Sequence, residues 1–141
     1  FEYVTPKTVA KNDEAAELYH GIMENIQTAY EALMAMGVPA EDARMLLPNA
    51  CCTQICVKMN LRTLIHFCNE RLCTCAQWEI RALANEMHRL CMEVAPALFE
   101  NAGPGCLRGA CPEGEKTCGK MLQIRQERKE WLEELYKDNN D

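Results

Sequence analysis

Apolar side chains recur at three- and four-residue steps through Ala15, Leu18, Ile22, Ile26, Ala29, Tyr30 and Leu33, the spacing of one helix face. Asn12 or Asp13 can cap this helix, and Gly37 ends it in the usual C′ position, with Pro39 following. Residues 1–11 read as an extended lead-in, because Thr5-Pro6 breaks a helix. A short helix is expected over residues 40–47, stopped by Pro48. Residues 51–59 carry Thr53, Ile55 and Val57 in alternation, which fits an extended segment or a tight helix equally. Asn60 then caps a helix to Leu72, and another runs over residues 76–95 until Pro96 closes it. The stripe Ile80, Leu83, Ala84, Met87, Leu90, Cys91 and Val94 is the expected core face of that helix.

The pattern breaks over residues 101–120, where five glycines, two prolines and three cysteines predict a loop. A final amphipathic helix over residues 120–137 presents Met121, Ile124, Trp131, Leu132 and Leu135, a face suited to docking on its own subunit, and residues 138–141 are expected to fray. There is no internal repeat. The fold class predicted is mainly α, with at most a strand or two. Three parts are expected: a helical part over residues 1–100, a Cys/Gly-rich loop over 101–120, and a terminal helix over 121–141.

Composition narrows the functions. The chain has 141 residues, 48% apolar and 26% charged, enough to bury one core. A formal charge of −6 argues against nucleic acid, which needs a clustered basic face, but not against a small anion held by a few placed arginines. No apolar run approaches the ~20 residues that span a bilayer, so no membrane partner is expected. Of the ten cysteines, Cys68, Cys75 and Cys91 sit in or beside helical patterns as small hydrophobes do, which points to a reducing cytoplasm. Phe1 in place of Met implies that the chain begins inside something longer.

Two arginines raise a question of charge. On a helical wheel Leu61, Leu64, Ile65, Phe67, Cys68 and Leu72 fill one arc, and Arg71 falls within it, whereas Arg62, His66 and Asn69 lie opposite. A guanidinium among apolar residues is costly without a partner, and it does not shed its proton. Arg71 either pairs with Glu70, Glu79 or Glu86, or snorkels to the helix end, or faces a ligand whose phosphate or base edge matches its planar fork. Arg44 presents the same choice, with an intrahelical pair to Glu41 as the plain alternative. For Arg62 and His66, four residues apart, the plain alternative is a solvated surface.

Taken in order, Glu41-Asp-Ala-Arg-Met-Leu-Leu-Pro48, Thr53, Asn60-Leu-Arg-Thr-Leu-Ile-His-Phe67, Arg71 and Ala76-Gln-Trp-Glu-Ile-Arg81 resemble the flavin-dependent thymidylate synthases. Together with the preceding helix and Gly37-Val38-Pro39, the likeness covers roughly residues 1–95. It implies that the chain is the helical C-terminal part of that family's α/β fold. The implied reaction is the reductive methylation of dUMP to dTMP, with methylene-tetrahydrofolate supplying the carbon and FAD reduced by NADPH supplying the hydride. The implied assembly is a homotetramer with active sites where subunits meet. By the same resemblance Arg44 holds the dUMP phosphate with Glu41 behind it. Arg71 is the catalytic arginine against the pyrimidine. Asn60, Arg62 and His66 line the flavin; other members carry Asn at the position of His66, and either side chain can hydrogen-bond a flavin edge. Glu79 and Arg81 are expected to be structural. The family's Arg-His-Arg signature and its serines are absent from these residues and are expected upstream of Phe1, so that this chain alone is not expected to turn over.

The cysteines of the loop fall outside the well-matched stretch. Cys106, Cys111 and Cys118 form a C-x4-C-x6-C set, of which only the first spacing suits a tetrahedral metal site. Free thiols, disulfides, and a structural metal completed by a ligand from another segment all remain open, and no metal is assigned. A competing function of another class is a non-catalytic helical module for assembly or metal binding that retains the nucleotide-site residues.

Overall fold

In the computed structural model, residues 1–138 are described, and they are mainly helical with no strand among them. The chain divides into two compact units, Phe1–Cys56 and Val57–Asp141.

The first unit is built on α2, Asp13–Ala35, preceded by a single turn, α1, Lys7–Ala10. That turn corrects the reading of residues 1–11 as extended: Pro6 starts it, since a proline breaks only the helix that precedes it. Asn12 caps α2 by accepting from the Ala15 N–H. Its end is a Schellman turn, with Gly37 at φ 83°, its N–H on Met34 O and Val38 N–H on Leu33 O. The expected helix over 40–47 resolves into α3, Ala40–Ala43, and a 3₁₀ turn, Arg44–Leu46. Met23 and Ala43 are buried. The lead-in is tied down by Tyr19 donating to Val4 O at 2.9 Å, by a 2.7 Å bond between Tyr3 Oη and His20 Nδ1, and by Val4 N–H on Ala50 O. Residues 51–59 form neither helix nor named strand, apart from one bridge between Cys51 and Tyr3.

The second unit packs α4, Leu61–Arg71, against α5, Trp78–Val94, which continues into one turn, α6, Pro96–Phe99. Pro96 therefore opens a new turn instead of only closing a helix, its fixed φ being suited to the first helical position. The last helix, α7, covers Met121–Asp138, and the expected fraying beyond it lies outside the described residues. Cys68, Met92, Phe99 and Ala102 make the core, flanked by Leu64, Ile65, Leu72, Cys91, Trp131, Leu132 and Leu135. The terminal helix thus docks within its own unit, as its apolar face implied.

The core face of α5 differs from the stripe read off the sequence. Ala84, His88 and Met92 are buried, whereas Leu83, Leu90 and Val94 are 53%, 48% and 87% exposed. At 3.6 residues per turn the buried positions centre roughly 140° away from the exposed ones, and the residue that misled the count is His88. Its Nε2 lies 3.0 Å from Phe99 O, and its ring lies 5.6 Å from that of Trp131. The histidine is satisfied as a neutral donor, with the Nε2–H on the carbonyl, and is therefore a core residue. The Arg128 guanidinium, 3.4 Å from the same nitrogen, cannot then donate to it.

Burial, together with that guanidinium, holds the His88 pKa below the ordinary value, against the pull of the carbonyl bond. The unfolded chain therefore takes up the proton more readily than the folded one. Stability present above the unfolded histidine value of about 6.5 is expected to be lost as pH falls from there toward the lower folded value. Urea midpoints measured at pH 8 and at pH 5.5 check this. The drop should shrink in His88→Gln, and an unchanged drop would assign the pH dependence to other groups.

The 101–120 loop is a loop as expected, with two 3₁₀ turns, Gly105–Leu107 and Gly114–Lys116. It is held mainly by arginines on its backbone carbonyls. Arg108 Nη1 donates to Asn101 O at 2.7 Å and Gly103 O at 3.1 Å, and also to Asn69 Oδ1 on α4. From α7, Arg125 donates to Cys106 O and Gly109 O, and Arg128 donates to Ala102 O at 2.6 Å. Hydrogen bonds of this charged kind contribute about 1.5–3 kcal/mol each where water is excluded. Gly103, at φ 151°, is required here, because a Cβ would stand 2.6 Å from Leu107 Cδ1 and 2.8 Å from Arg128 Nη2.

Candidate functional site

On the first unit, Arg44 begins the 3₁₀ turn after α3 and is exposed, as is Glu41. The intrahelical pair between them does not form: among the described residues neither side chain makes a hydrogen bond or an ion pair. Arg44 is left as an uncompensated cation on a short, rigid turn bounded by Pro39 and Pro48.

On the second unit, Asn60 caps α4, its Oδ1 accepting from the Thr63 N–H at 2.9 Å and the Thr63 hydroxyl at 3.0 Å. The carboxamide oxygen is therefore spent on the helix, and its NH₂ is the group left for a ligand. Arg62 and His66 follow on the same face, both exposed, one turn apart. The third member of that face, Asn69, accepts from Gly103 N–H at 2.9 Å and from Arg108.

Arg71 corrects the wheel. It is exposed, and none of Glu70, Glu79 or Glu86 pairs with it. The side of α4 that packs on the core is narrower than the arc: it carries Leu64, Ile65, Cys68 and Leu72, and Arg71, the last residue of the helix, lies at its edge. Arg81 is structural as expected, donating to Thr74 O at 3.2 Å before α5.

Sorting the eight arginines by partner separates two groups. Arg81, Arg108, Arg125 and Arg128 bind backbone carbonyls, and Arg89 pairs with Glu86 and Glu93 on the exposed side of α5. Arg44, Arg62 and Arg71 have no partner among the described residues. Sequence reasoning missed Arg108, Arg125 and Arg128 because carbonyl acceptors on a loop leave no trace in side-chain pattern.

The loop cysteines meet α4 at a cavity of about 220 Å³ lined by Cys73, Cys106 and Cys111 together with His66, Glu70 and Glu113. All ten cysteines are free thiols. A larger cleft of about 490 Å³ lies between α5, the loop and α7, with Arg81, His88, Arg128 and Trp131 in its wall.

The family model described as "Thymidylate synthase complementing protein" matches residues 1–97. The flavin-dependent thymidylate synthase of Geobacter sulfurreducens is 52% identical over 125 residues, 89% of this chain and 54% of that protein. Those of Clostridium tetani and Nitratidesulfovibrio vulgaris are 40% and 47% identical over 89% and 85% of the chain. These two matches take in 57% and 53% of the relatives' own lengths, so the chain spans about half the length of the curated relatives it matches. A match over 89% of the chain also takes in the cysteine loop. The chain belongs to the thymidylate synthase complementing protein family, alongside these flavin-dependent thymidylate synthases.

Proposed function

We propose that the chain supplies the nucleotide-facing arginines and one wall of the flavin site of a flavin-dependent thymidylate synthase. In this reading the reaction is reductive methylation of dUMP to dTMP, with methylene-tetrahydrofolate and NADPH as co-substrates and a homotetramer as the working form. The observation that carries the proposal is the partition of arginines. The three without a partner among the described residues are the three that the family resemblance puts against dUMP and flavin. A cation held on a rigid element with no internal counter-charge is suited to an anion from outside.

The roles follow from chemistry. Arg44 grips the dUMP phosphate, its fork matching two phosphate oxygens, with Glu41 close in sequence to orient it. Arg71 faces the pyrimidine and stabilises negative charge that develops on the ring. In its exposed position a guanidinium does little against such charge, because water screens it. The role therefore requires that bound nucleotide and the rest of the enzyme cover Arg71, which is then worth far more. The flavin supplies hydride when bound. The residues present fit it: the Asn60 NH₂, the Arg62 guanidinium and the His66 ring are donors on the first turns of α4, and none of the three groups is consumed by the fold. The exposed Leu83, Leu90 and Val94 of α5 support burial against another copy. No helix among the described residues is long and apolar enough to cross a membrane.

The test is thermal. Excess dUMP should raise the melting temperature of the chain, since a ligand that binds only the folded form stabilises it. Arg44→Ala should abolish that shift, weakening binding by roughly ten- to a hundredfold for the loss of charge-assisted contacts worth about 1.5–3 kcal/mol. A shift that survives the substitution unchanged shows that Arg44 does not hold the phosphate.

A further inference from the structure

The proposed reaction uses no cysteine, yet five of them gather on one side of the second unit. Cys73, Cys106 and Cys111 line one cavity. Cys75 Sγ donates to Lys116 O at 3.4 Å, which ties the turn before α5 to the segment between Cys111 and Cys118. Thr74, next in sequence to Cys73, hydrogen-bonds the Cys118 thiol. The Cys106 side chain faces Cys111, Cys73 and Cys118. Three sulfurs from two segments thus line the cavity, with Cys118 nearby.

The loop that carries three of them is twenty residues of turns and irregular chain, and of its side chains only those of Ala102, Pro104 and Cys106 are buried. Loops of that length without structure of their own are uncommon in compact units and need another source of order. Part of that order comes from Arg108, Arg125 and Arg128, but these hold only residues 101–109. Among the described residues no arginine holds residues 110–118, where Cys111 and Cys118 lie, and the bonds from Cys75 and Thr74 are the ties to the turn before α5.

We propose that Cys73, Cys106, Cys111 and Cys118 bind one zinc-class ion as four thiolates, clamping the loop to the turn between α4 and α5. Cys106-x4-Cys111 has the spacing of a zinc pair, and an all-sulfur tetrahedral set selects this class of ion. Binding converts four thiols to thiolates and releases their protons to solvent, with no change of oxidation state. A dication also removes the mutual repulsion that opposes ionising one thiol beside another. Among the described residues no three ligand side chains converge closely enough to hold an ion as they stand. Three of the sulfurs line a cavity, not a point. The ion must draw them in to about 2.3 Å each, which the weakly held 110–118 segment allows.

The experiment uses the full chain, purified with a reductant and zinc and then freed of unbound metal. About one zinc per chain is expected to remain, with four of the ten thiols shielded from a thiol reagent until a chelator is added. Cobalt(II) added in place of zinc should give sulfur-to-metal charge transfer and the intense visible bands of a tetrahedral thiolate site. Cys111→Ser should lose the zinc, whereas Cys56→Ser, exposed and in the first unit, should keep it. If Cys111→Ser does not fold, the cobalt spectrum of the unaltered chain still decides. The proposal is overturned if the folded chain retains no zinc and all ten thiols react together. It is equally overturned if thiols are missing after denaturation without reductant, which would mean a disulfide, or if cobalt gives the weak spectrum of an oxygen-bound ion.

Discussion

Met92→Ala is expected to lower the unfolding free energy of the second unit by about 2–5 kcal/mol, the range for truncating a buried methionine. Met92 is 2% exposed and packs with Cys68, Phe99 and Ala102 where α4, α5, α6 and the loop meet. Domains of this size hold only about 5–15 kcal/mol in total, so the loss is a large fraction. Leu83→Ala on the same helix removes a side chain that is already 53% exposed, and should change stability by about 0.5 kcal/mol or less. Urea unfolding at low protein concentration, with slopes compared, separates the two. The contrast reads the orientation of α5 directly: hydrophobic spacing puts Leu83 in the core and leaves Met92 out. If Leu83→Ala proves the costlier change, the helix faces the core as its apolar stripe suggests, and His88 is not a core residue.

That inversion shows what pattern conveys about this chain. Helix positions and ends were legible because their signals are local: Asn12 and Asn60 accept from the N–H three residues on, and Gly37 closes a Schellman turn. Helix faces were legible only in part. A wheel reports angle, but burial also depends on where partner elements end and on which polar residue finds an internal acceptor. Arg71 shared the arc of Cys68 and still emerged into solvent at the end of α4. His88 lay off the apolar stripe and was buried because Phe99 O accepted from it. The one-turn helices α1 and α6 were missed because each begins at a proline taken as a stop.

The candidate site has a different history. The argument that a buried arginine needs a ligand does not apply, since Arg71 is not buried. What singled out Arg44, Arg62 and Arg71 was the resemblance; in the structure they are exposed cations that the fold does not employ. An employed arginine such as Arg128 is by contrast half-buried, 5.1 Å above the Trp131 ring and bound to Ala102 O. The grouping of Cys73 with the loop cysteines was not legible at all, because thirty residues of α5 and its flanks separate them in sequence and only the packing of α4 against the loop brings them to one cavity.

Arg71→Ala is expected to lower kcat by roughly a hundred- to a thousandfold, the effect of removing one donor aimed at developing charge. The measurement needs a complete enzyme, for which a hybrid is suitable: the N-terminal part of the Geobacter sulfurreducens relative joined ahead of this chain, given 52% identity across the matched stretch. In the same hybrid Arg44→Ala should act mainly on KM for dUMP, because a phosphate contact is made equally in the ground state and the transition state. Arg71→Lys should recover little of the lost rate, since an ammonium cannot reproduce a planar fork. Arg89→Ala is the control, its guanidinium occupied by Glu86 and Glu93 on the exposed side of α5. A kcat that falls less than tenfold in Arg71→Ala while KM rises as in Arg44→Ala would make Arg71 a binding residue only. The two arginines would then share one role, and the charge that develops on the pyrimidine would have to be stabilised by residues that this chain does not supply.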